Sequence, residues 1–423
     1  MPGPYENLRV VEFGRFIAAP YCGQLFADGG ADVIKVEPLV GDDARHNGTR
    51  LSATEARQFL NKNRGKRSIA VDLGDEGIRA LMQQLAASAD VVLTNFRPGQ
   101  AERLGLDYPQ LVRANPRLIY AENTAFGKQG AMSSKAGMDI LLQAYAGIAS
   151  PTADGPRMNG EPIIDYTAAL LMAWGIASAL YHREKTGKGQ ALDVSLLQAA
   201  LVIQNNSMNH IDAVDEWRGE FVEYLKEAFS RGDTLATVIA HRETLKPQIA
   251  PPYYGLFQTE NGFLAIAAGG LGLRRKVAKI LGIDDPGLAD LKFEPDDVEA
   301  YTRAIRQQVV ASLGTKTTAE WQQIFEADGV PAGAVNFREQ VLDDSQCWEN
   351  EYLVRLEHEE VGGMTVVAPP VKFSETPLSV RGPTPTLGKH TRDVLFELGL
   401  TDANIDALVA SGKIIVRGEG GNE

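Results

Sequence analysis

Over residues 8–126 short runs rich in β-branched residues alternate with amphipathic helical stretches, a rhythm that few folds accept. LRVVEF (8–13), DVIKVEP (32–38), RSIAVDL (67–73), DVVLTNF (90–96) and PRLIYAENTAF (116–126) read as strands. PYCGQLFADGG (20–30), closed by glycines, and DEGIRALMQQLAASA (75–89), with Asp75 near its start, read as helices between them. Strands separated by crossover helices build βαβ units and hence a parallel sheet covered on both faces. At 423 residues, 44% hydrophobic and 23% charged, the chain has ample material for that core and is long enough for two or three domains.

From about 134 to 210 the pattern turns helical and ends in REKTGKGQALDVSLLQAALVIQ, where Gly187 and Gly189 punctuate a turn. Residues 211–250 are charged and irregular and read as a connecting arm. YYGLFQTENGFLAIAAGG (253–270) reads as a hairpin turning at Glu260, Asn261 and Gly262, inside a smaller α+β unit of about 225–325. DGVPAGAVN (328–336), a strand-like GGMTVVAPPVKF (362–373), a final helix TRDVLFELGL (391–400) and a polar tail RGEGGNE (417–423) follow. The expected organisation is a large domain over 1–210, an arm and small domain over 211–330, and over 331–423 a return linker with the C-terminal part of the large domain.

Several functional classes find no support. Two cysteines, Cys22 and Cys347, form no disulfide framework and share no metal-ligand spacing, which fits a reducing compartment. The N-terminus has no basic segment followed by an apolar run, so a cytoplasmic location is expected. The uncharged run 166–181 is shorter than the ~20 apolar residues of a membrane span and reads as a core helix. A net charge of −13 repels polyanions, which argues against nucleic acid. No G-x-G-x-x-G follows the first strand, no G-x-S-x-G occurs, and the six histidines are scattered; no metal site is expected.

Three features invite chemistry. Asp165 is the single charge between Pro162 and Tyr181. As an N-cap of a helix beginning at 166 or 167 it would accept backbone N–H bonds; as a nucleophile it would use the same N–H groups to stay ionised and aimed. NKNRGKRS (61–68) places four cationic side chains before a strand, and NFRPGQAERLG (95–105) adds Arg97 and Arg103 after the next one. By charge pattern both runs read as a solvated face; alternatively the two loops offer positive charge at a sheet edge where α/β folds bind ligands. Arg45 and His46, in DDARHNGTR (42–50), stand either in a solvated loop or as receivers of a substrate's distal carboxylate.

LRVVEFGRFIAAPYCGQLFADGGADVIKVEP, FLNKNRGKRSIAVDL, ADVVLTNFRPGQAERLGLDY, NPRLIYAENTAFGKQG, GMDILLQAYAG, the Asp165 stretch running into REKTGKGQALDVSLLQA, GVPAGAVN and TPTLGKHTRDVL resemble, in this order and over nearly the whole chain, the class III coenzyme A-transferases of CaiB/BaiF type, which include the formyl-CoA transferases. The resemblance implies an α/β fold with a large Rossmann-like domain, a parallel sheet and a smaller α+β domain, in an interlocked, ring-shaped homodimer. It implies transfer of coenzyme A from an acyl-CoA donor to a carboxylic acid acceptor, with the thioester as substrate and no permanently bound cofactor. Asp165 matches the nucleophile that forms an aspartyl anhydride and then an aspartyl-CoA thioester.

The same resemblance places Asn95, Phe96, Arg97 and Arg103 on CoA-contacting positions, Val71, Asp72 and Leu73 around the adenosine, and Ile17 with Ala18 along the channel to the thioester. It also puts Met138 and Asp139 of GMDILL at the ligand, and matches AAGGLGL (267–273) to a glycine-rich loop that helps cover the site. Ile17 stands where oxalate-using members often carry a polar residue. An α-methylacyl-CoA racemase is the alternative within the fold, but its G-H-D histidine is Met138 here, which removes one of two acid/base groups. A non-catalytic acyl-CoA-binding protein is the alternative outside enzymology, and retention of Asp165 weighs against it.

Overall fold

Apolar side chains on both faces of successive short strands leave a parallel sheet as the way to bury them all. The computed structural model describes residues 2–152, 155–247, 249–290 and 292–417, so that 418–423 of the polar tail lie outside it. Strands β1 (Arg9–Glu12), β2 (Asp32–Glu37), β3 (Arg67–Val71), β4 (Val91–Thr94), β5 (Ile119–Thr124) and β6 (Ala191–Ser195) are parallel in the order β3-β2-β1-β4-β5-β6, and a C-terminal strand, Ile414–Ile415, pairs antiparallel with β3. The order reverses between β1 and β4, and that reversal opens a crevice at the carboxyl ends of the strands, where such sheets bind ligands. This sheet belongs to a compact unit made of Met1–Ile211 and Glu349–Glu423.

Alternation divides its core into two layers. Val11, Ile34, Val36, Ile69 and Val92 pack with Ile78, Met82 and Leu85 of helix α2 (Glu76–Ala87), with Leu111 of helix α3 (Tyr108–Ala114) and with Val394 and Leu395. On the opposite face Val10, Val33, Val91, Leu93 and Ile119 meet Ala19, Cys22 and Phe26 of α1 (Ala18–Asp28) and residues Ala169, Met172 and Ile176 of a long helix described below.

That second layer turns from apolar to charged toward the carboxyl ends of the strands. Lys35 lies opposite Glu12 in the β1/β2 register, 2.9 Å from its Oε1 and 2.9 Å from Asp42 Oδ2. Lys66 Nζ reaches Glu12 Oε2 at 2.7 Å, the Pro20 carbonyl at 2.7 Å and Asn63 Oδ1 at 2.8 Å. Arg64 makes a bidentate pair with Asp28, at 2.9 and 2.8 Å. The run NKNRGKRS is therefore not a solvated face, because Lys62, Asn63, Arg64 and Lys66 are all buried. Glutamates at the ends of β1 and β2 are buried on this face, and buried carboxylates require cations.

Arg45 is likewise withdrawn from substrate. All five of its N–H donors are engaged, with Glu37 at 2.7 and 2.9 Å, Glu55 at 2.5 Å and the carbonyls of Thr54 and Pro385, and its guanidinium lies 3.5 Å from the Phe59 ring centroid. Burial would raise the Glu37 carboxyl, but Arg45 outweighs it and the group is held below its usual range. His46 stays exposed, its ring bonded to the Val40 carbonyl.

Other segments depart from the expected pattern. β6 lies within the stretch read as helical; as an edge strand with polar alternate positions it lacks the hydrophobic signature of its neighbours. Leu353–His358 and Gly362–Val367 form an antiparallel hairpin, and only its second strand has a clear sequence signal. The second compact unit, Asp212–Trp348, contains helices Glu216–Ala228 and Leu235–Leu245 within the stretch read as an irregular arm. Its sheet joins β7 (Tyr254–Gln258), β8 (Phe263–Ala267) and β9 (Ala332–Ala334), all antiparallel, over a core of Tyr253, Phe257, Leu264, Val309, Trp321 and Phe325. Pairing of β9 with β8 keeps residues 331–348 in this unit.

The Arg45 network generates a stability prediction. Arg45→Ala leaves Glu37 and Glu55 buried without their cation and should destabilise the native state by about 3–5 kcal/mol, seen as a lowered urea midpoint. A loss below ~1 kcal/mol would place Arg45 among dispensable surface ion pairs.

Candidate active site

The site is built where two helices begin side by side: α4 (Asp139–Tyr145) and the long α5 (Ile163–Thr186). Asp165 is the third residue of α5, not its N-cap, which corrects the capping reading. The cap is supplied by Asp139, whose Oδ2 accepts the N–H groups of Ile164 at 2.8 Å and Asp165 at 3.1 Å. Its Oδ1 accepts from Gln143 Nε2 at 2.6 Å, and Gln143 Oε1 takes the Asn159 N–H at 2.9 Å, so the chain entering α5 is fixed from α4. A carboxylate at a helix start satisfies otherwise orphaned donors and the positive end of the dipole. Asp139 fills that role.

Asp165 is thereby left without structural employment. No described residue donates a hydrogen bond to its carboxylate, although the residue is half-buried. Burial pushes its pKa up to about 7, the nearby Asp139 carboxylate pushes the same way, and Lys62 opposes both. A carboxylate with no hydrogen-bond donor among the described residues and a raised pKa makes Asp165 the candidate reactive group of this site.

Lys62 is the cation that opposes those two effects. It is 2% exposed, donates to the Gln58 carbonyl at 3.2 Å and to Gln58 Oε1 at 3.0 Å, and lies 5.8 Å from the Tyr166 ring centroid. Burial lowers its pKa to about 8 against the attraction of Asp165, Glu161 and Asp42.

The loop after β1 completes this wall. Asn95, just beyond β4, accepts the Arg15 N–H and donates to the Arg15 carbonyl, both at 2.8 Å, and so ties the two strand ends together at the crevice. Lys35 donates to the Gly14 carbonyl at 2.8 Å, and Asp42 Oδ1 accepts the Phe16 N–H at 3.1 Å. Phe16 is held at φ +61°, a left-handed conformation that costs a bulky residue about 1–3 kcal/mol and persists only where surroundings impose it. That backbone turn delivers Ile17 and Ala18 to the start of α1. Ala18 packs in one cluster with Ile164 and Ala168, and Tyr21 meets Tyr166 edge-on at 4.9 Å. The α1 start and the Asp165 turn are therefore neighbours.

The remaining positions lie along the carboxyl edge of the sheet or beside it. Phe96 is buried against Phe13, with ring centroids 5.7 Å apart. Arg97 and Arg103 are exposed, and among the described residues neither guanidinium has a carboxylate partner. Val71 has its side chain in the core, Leu73 packs partly against it, and Asp72 is exposed, its carboxylate taking the Gly74 N–H at 2.8 Å. Met138, the residue before α4, is exposed. Residues 267–273 connect β8 to helix Leu271–Leu281 in the second unit. Sequence reasoning missed Lys62 as an individual and Asp139 as the cap. The signal for Asp139 was available, an acid four residues before Gln143 at a helix start; that for Lys62 was masked by the cations around it.

Comparisons with known proteins agree on one family. The model of CoA-transferase family III matches residues 5–391. The chain is 31% identical over 418 residues to the succinyl-CoA:glutarate CoA-transferase of Mus musculus, covering 97% of this chain and 90% of that protein. It is 34% identical to the succinate–glutarate CoA-transferase of Agrobacterium fabrum, covering 93% and 96%. Among solved structures, a CAIB/BAIF family protein from Brucella suis superposes with a TM-score of 0.72 at 29% identity, over 94% of this chain and all of that one.

The Asp165 environment predicts an inverted stability effect. An aspartate whose native pKa of about 7 lies above its unfolded value of ~3.9 stabilises the fold in its protonated form, so stability is lost as pH rises through 7. Asp165→Asn should therefore unfold at higher temperature than wild type at pH 8, with the difference closing as pH falls below about 4. A lower melting temperature at pH 8 would return Asp165 to a structural role.

Proposed function

The chain belongs to CoA-transferase family III and is a class III CoA-transferase, and from that premise we propose that Asp165 is its covalent nucleophile. The observation that carries this reading is a desolvated carboxylate in the first turn of α5 whose capping duty is discharged by Asp139. In its ionised form Asp165 attacks the thioester carbonyl of the donor, giving a mixed anhydride and CoA thiolate. The thiolate attacks the aspartyl carbonyl, giving an aspartyl-CoA thioester and releasing the donor acid. The acceptor carboxylate then attacks that thioester, and the thiolate returns to the acceptor's acyl carbon, restoring Asp165. Each exchange trades one activated acyl bond for another, which is what covalent catalysis by a carboxylate can support.

The ends of β1 and β4 form the proposed channel, with Ile17 and Ala18 beside the thioester and Asn95 holding its wall. Arg97 and Arg103, both lacking a carboxylate partner, suit the phosphates of the nucleotide. Leu73 and Asp72 border the adenosine, with Val71 supporting them from the core, and Met138 and Asp139 flank the acyl end. Dicarboxylic acids are the acceptors to try first, because glutarate is in the names of the mouse and Agrobacterium relatives.

We also propose a homodimer. α5 buries Ile164, Ala168, Met172 and Ile176 on one side but exposes Leu170, Trp174 and Tyr181 on the other, with Trp174 69% accessible. Its one-sided burial departs from the fully covered core helix expected from its sequence, although by length and composition it suffices to cross a bilayer. Ile140, Leu141 and Tyr145 on α4 are exposed as well, so two helices together present an apolar face larger than scattered surface residues require. A second copy is the proposed cover, in a cytoplasmic enzyme.

Asp165→Asn should reduce CoA transfer by at least about a thousandfold across a panel of acyl-CoA donors and carboxylate acceptors read by mass spectrometry. In the same assay Arg97→Ala and Arg103→Ala should raise KM for acyl-CoA by about three- to tenfold with smaller changes in kcat, since contacts remote from the thioester bind ground and transition states alike. Near wild-type transfer by the Asn variant, with deamidation excluded, rejects the covalent role.

A further inference from the structure

The transfer sequence proposed above conserves charge at every stage. The acyl-CoA complex holds an aspartate anion; the anhydride stands beside a CoA thiolate; the aspartyl-CoA thioester stands beside a free carboxylate; the last two states repeat in reverse. One negative charge thus moves from the aspartate to the CoA thiolate to the donor carboxylate, and when the donor acid departs the acceptor carboxylate brings the charge back for the return steps. Moving an anion inside a desolvated site is costly unless a cation is fixed nearby and is not already neutralised by a protein carboxylate.

One side chain of this unit meets that description. The other buried cations of the strand-end cluster are claimed: Lys35 by Glu12 and Asp42, Lys66 by Glu12, Arg45 by Glu37 and Glu55, Arg64 by Asp28. Lys62 is as buried as they are, but among the described residues its hydrogen bonds go only to the neutral Gln58 carbonyl and side chain, and no carboxylate lies within ion-pair distance. A lysine has three donors, so one remains open. Its ammonium lies 5.8 Å from the ring centroid of Tyr166, the residue after Asp165, and its charge draws the Asp165 carboxyl toward its ionised form. We propose that Lys62 is the fixed counter-charge of the reaction, a positioning residue that keeps Asp165 ionised and then holds the travelling anion while Asp165 is acylated. This inference rests on the nucleophile reading of Asp165.

The groups facing the pair define its pH behaviour. Lys62 is under Asp165, Glu161 and Asp42; Asp165 is under Asp139 and Lys62; Tyr166 stands with Tyr21 and Glu161. Replacing Lys62 by Met removes the attraction that, among the described residues, opposes burial and Asp139 at Asp165. The acid limb of kcat/KM should therefore move up by about one pH unit or more, the order of shift expected on losing a neighbouring cation. The wild-type to Lys62→Met ratio of kcat/KM should be about tenfold or more at pH 6 and approach one above pH 9, where wild-type Lys62 has itself lost its proton.

Lys62→Gln is measured in parallel, so that poor folding of one neutral variant does not decide the outcome, and Lys62→Arg should keep the wild-type acid limb. A ratio that stays constant with pH, or an Arg variant that behaves like the neutral ones, overturns the inference. Hydroxylamine added with acyl-CoA to each protein separates the two levels of the claim. An Asp165 hydroxamate in wild type together with a pH-independent ratio rejects Lys62 alone. Absence of the Asp165 hydroxamate in wild type rejects the nucleophile, and the counter-charge falls with it.

Discussion

Burying Glu12 and Glu37 at the carboxyl ends of β1 and β2 is the constraint on which the site depends. Once those carboxylates leave water, Lys35, Lys66 and Arg45 must follow them, and each cation carries a piece of loop with it. Lys35 fixes Gly14 and Asp42, and Asp42 fixes Phe16 in its left-handed turn. Lys66 holds the Pro20 carbonyl in the first turn of α1 and Asn63 of the preceding loop, which places Lys62 one residue away. An apolar cluster of equal volume would be as stable, but it could not specify backbone positions by directed hydrogen bonds. The network accordingly orients the crevice wall more than it stabilises the fold.

Two carboxylates 26 residues apart in sequence then divide the work at the start of α5. Asp139 takes the helix N–H groups and a side-chain amide, so its charge is spread over defined donors. Asp165 takes none of them and is left with desolvation, a like charge on one side and Lys62 on the other. Chemically similar groups acquire a structural and a reactive role from their partners alone. The same logic separates Lys62 from Lys66: neighbours in one basic run, one paired with a glutamate and the other not.

Much of this was legible in the sequence. The β-branched runs located β1 to β5 because strands buried on both faces have a dense apolar signal, and the hairpin of the second unit was marked by its Glu-Asn-Gly turn. β6 was hidden because an edge strand with polar alternate positions looks like loop, and the two helices at 216–228 and 235–245 because they are charged and largely exposed. Asp165 stood out as a lone charge in an apolar stretch. Its register on the helix did not, since a cap three residues upstream in space comes from another element. Above all, the burial of NKNRGKRS and Arg45 was invisible: their acids lie 8 to 54 residues away in sequence, and only the sheet brings them together.

The central claim is that the acceptor carboxylate exchanges an oxygen with Asp165 through an anhydride. An acceptor acid labelled in both carboxylate oxygens with the heavy isotope, mixed with acyl-CoA and excess enzyme for a single turnover, tests this by peptide mass analysis. The account predicts that one heavy oxygen appears in the peptide bearing Asp165 and that the new thioester retains the other. Product formed with the displaced heavy oxygen in the released donor acid or in water, and none at Asp165, would contradict it.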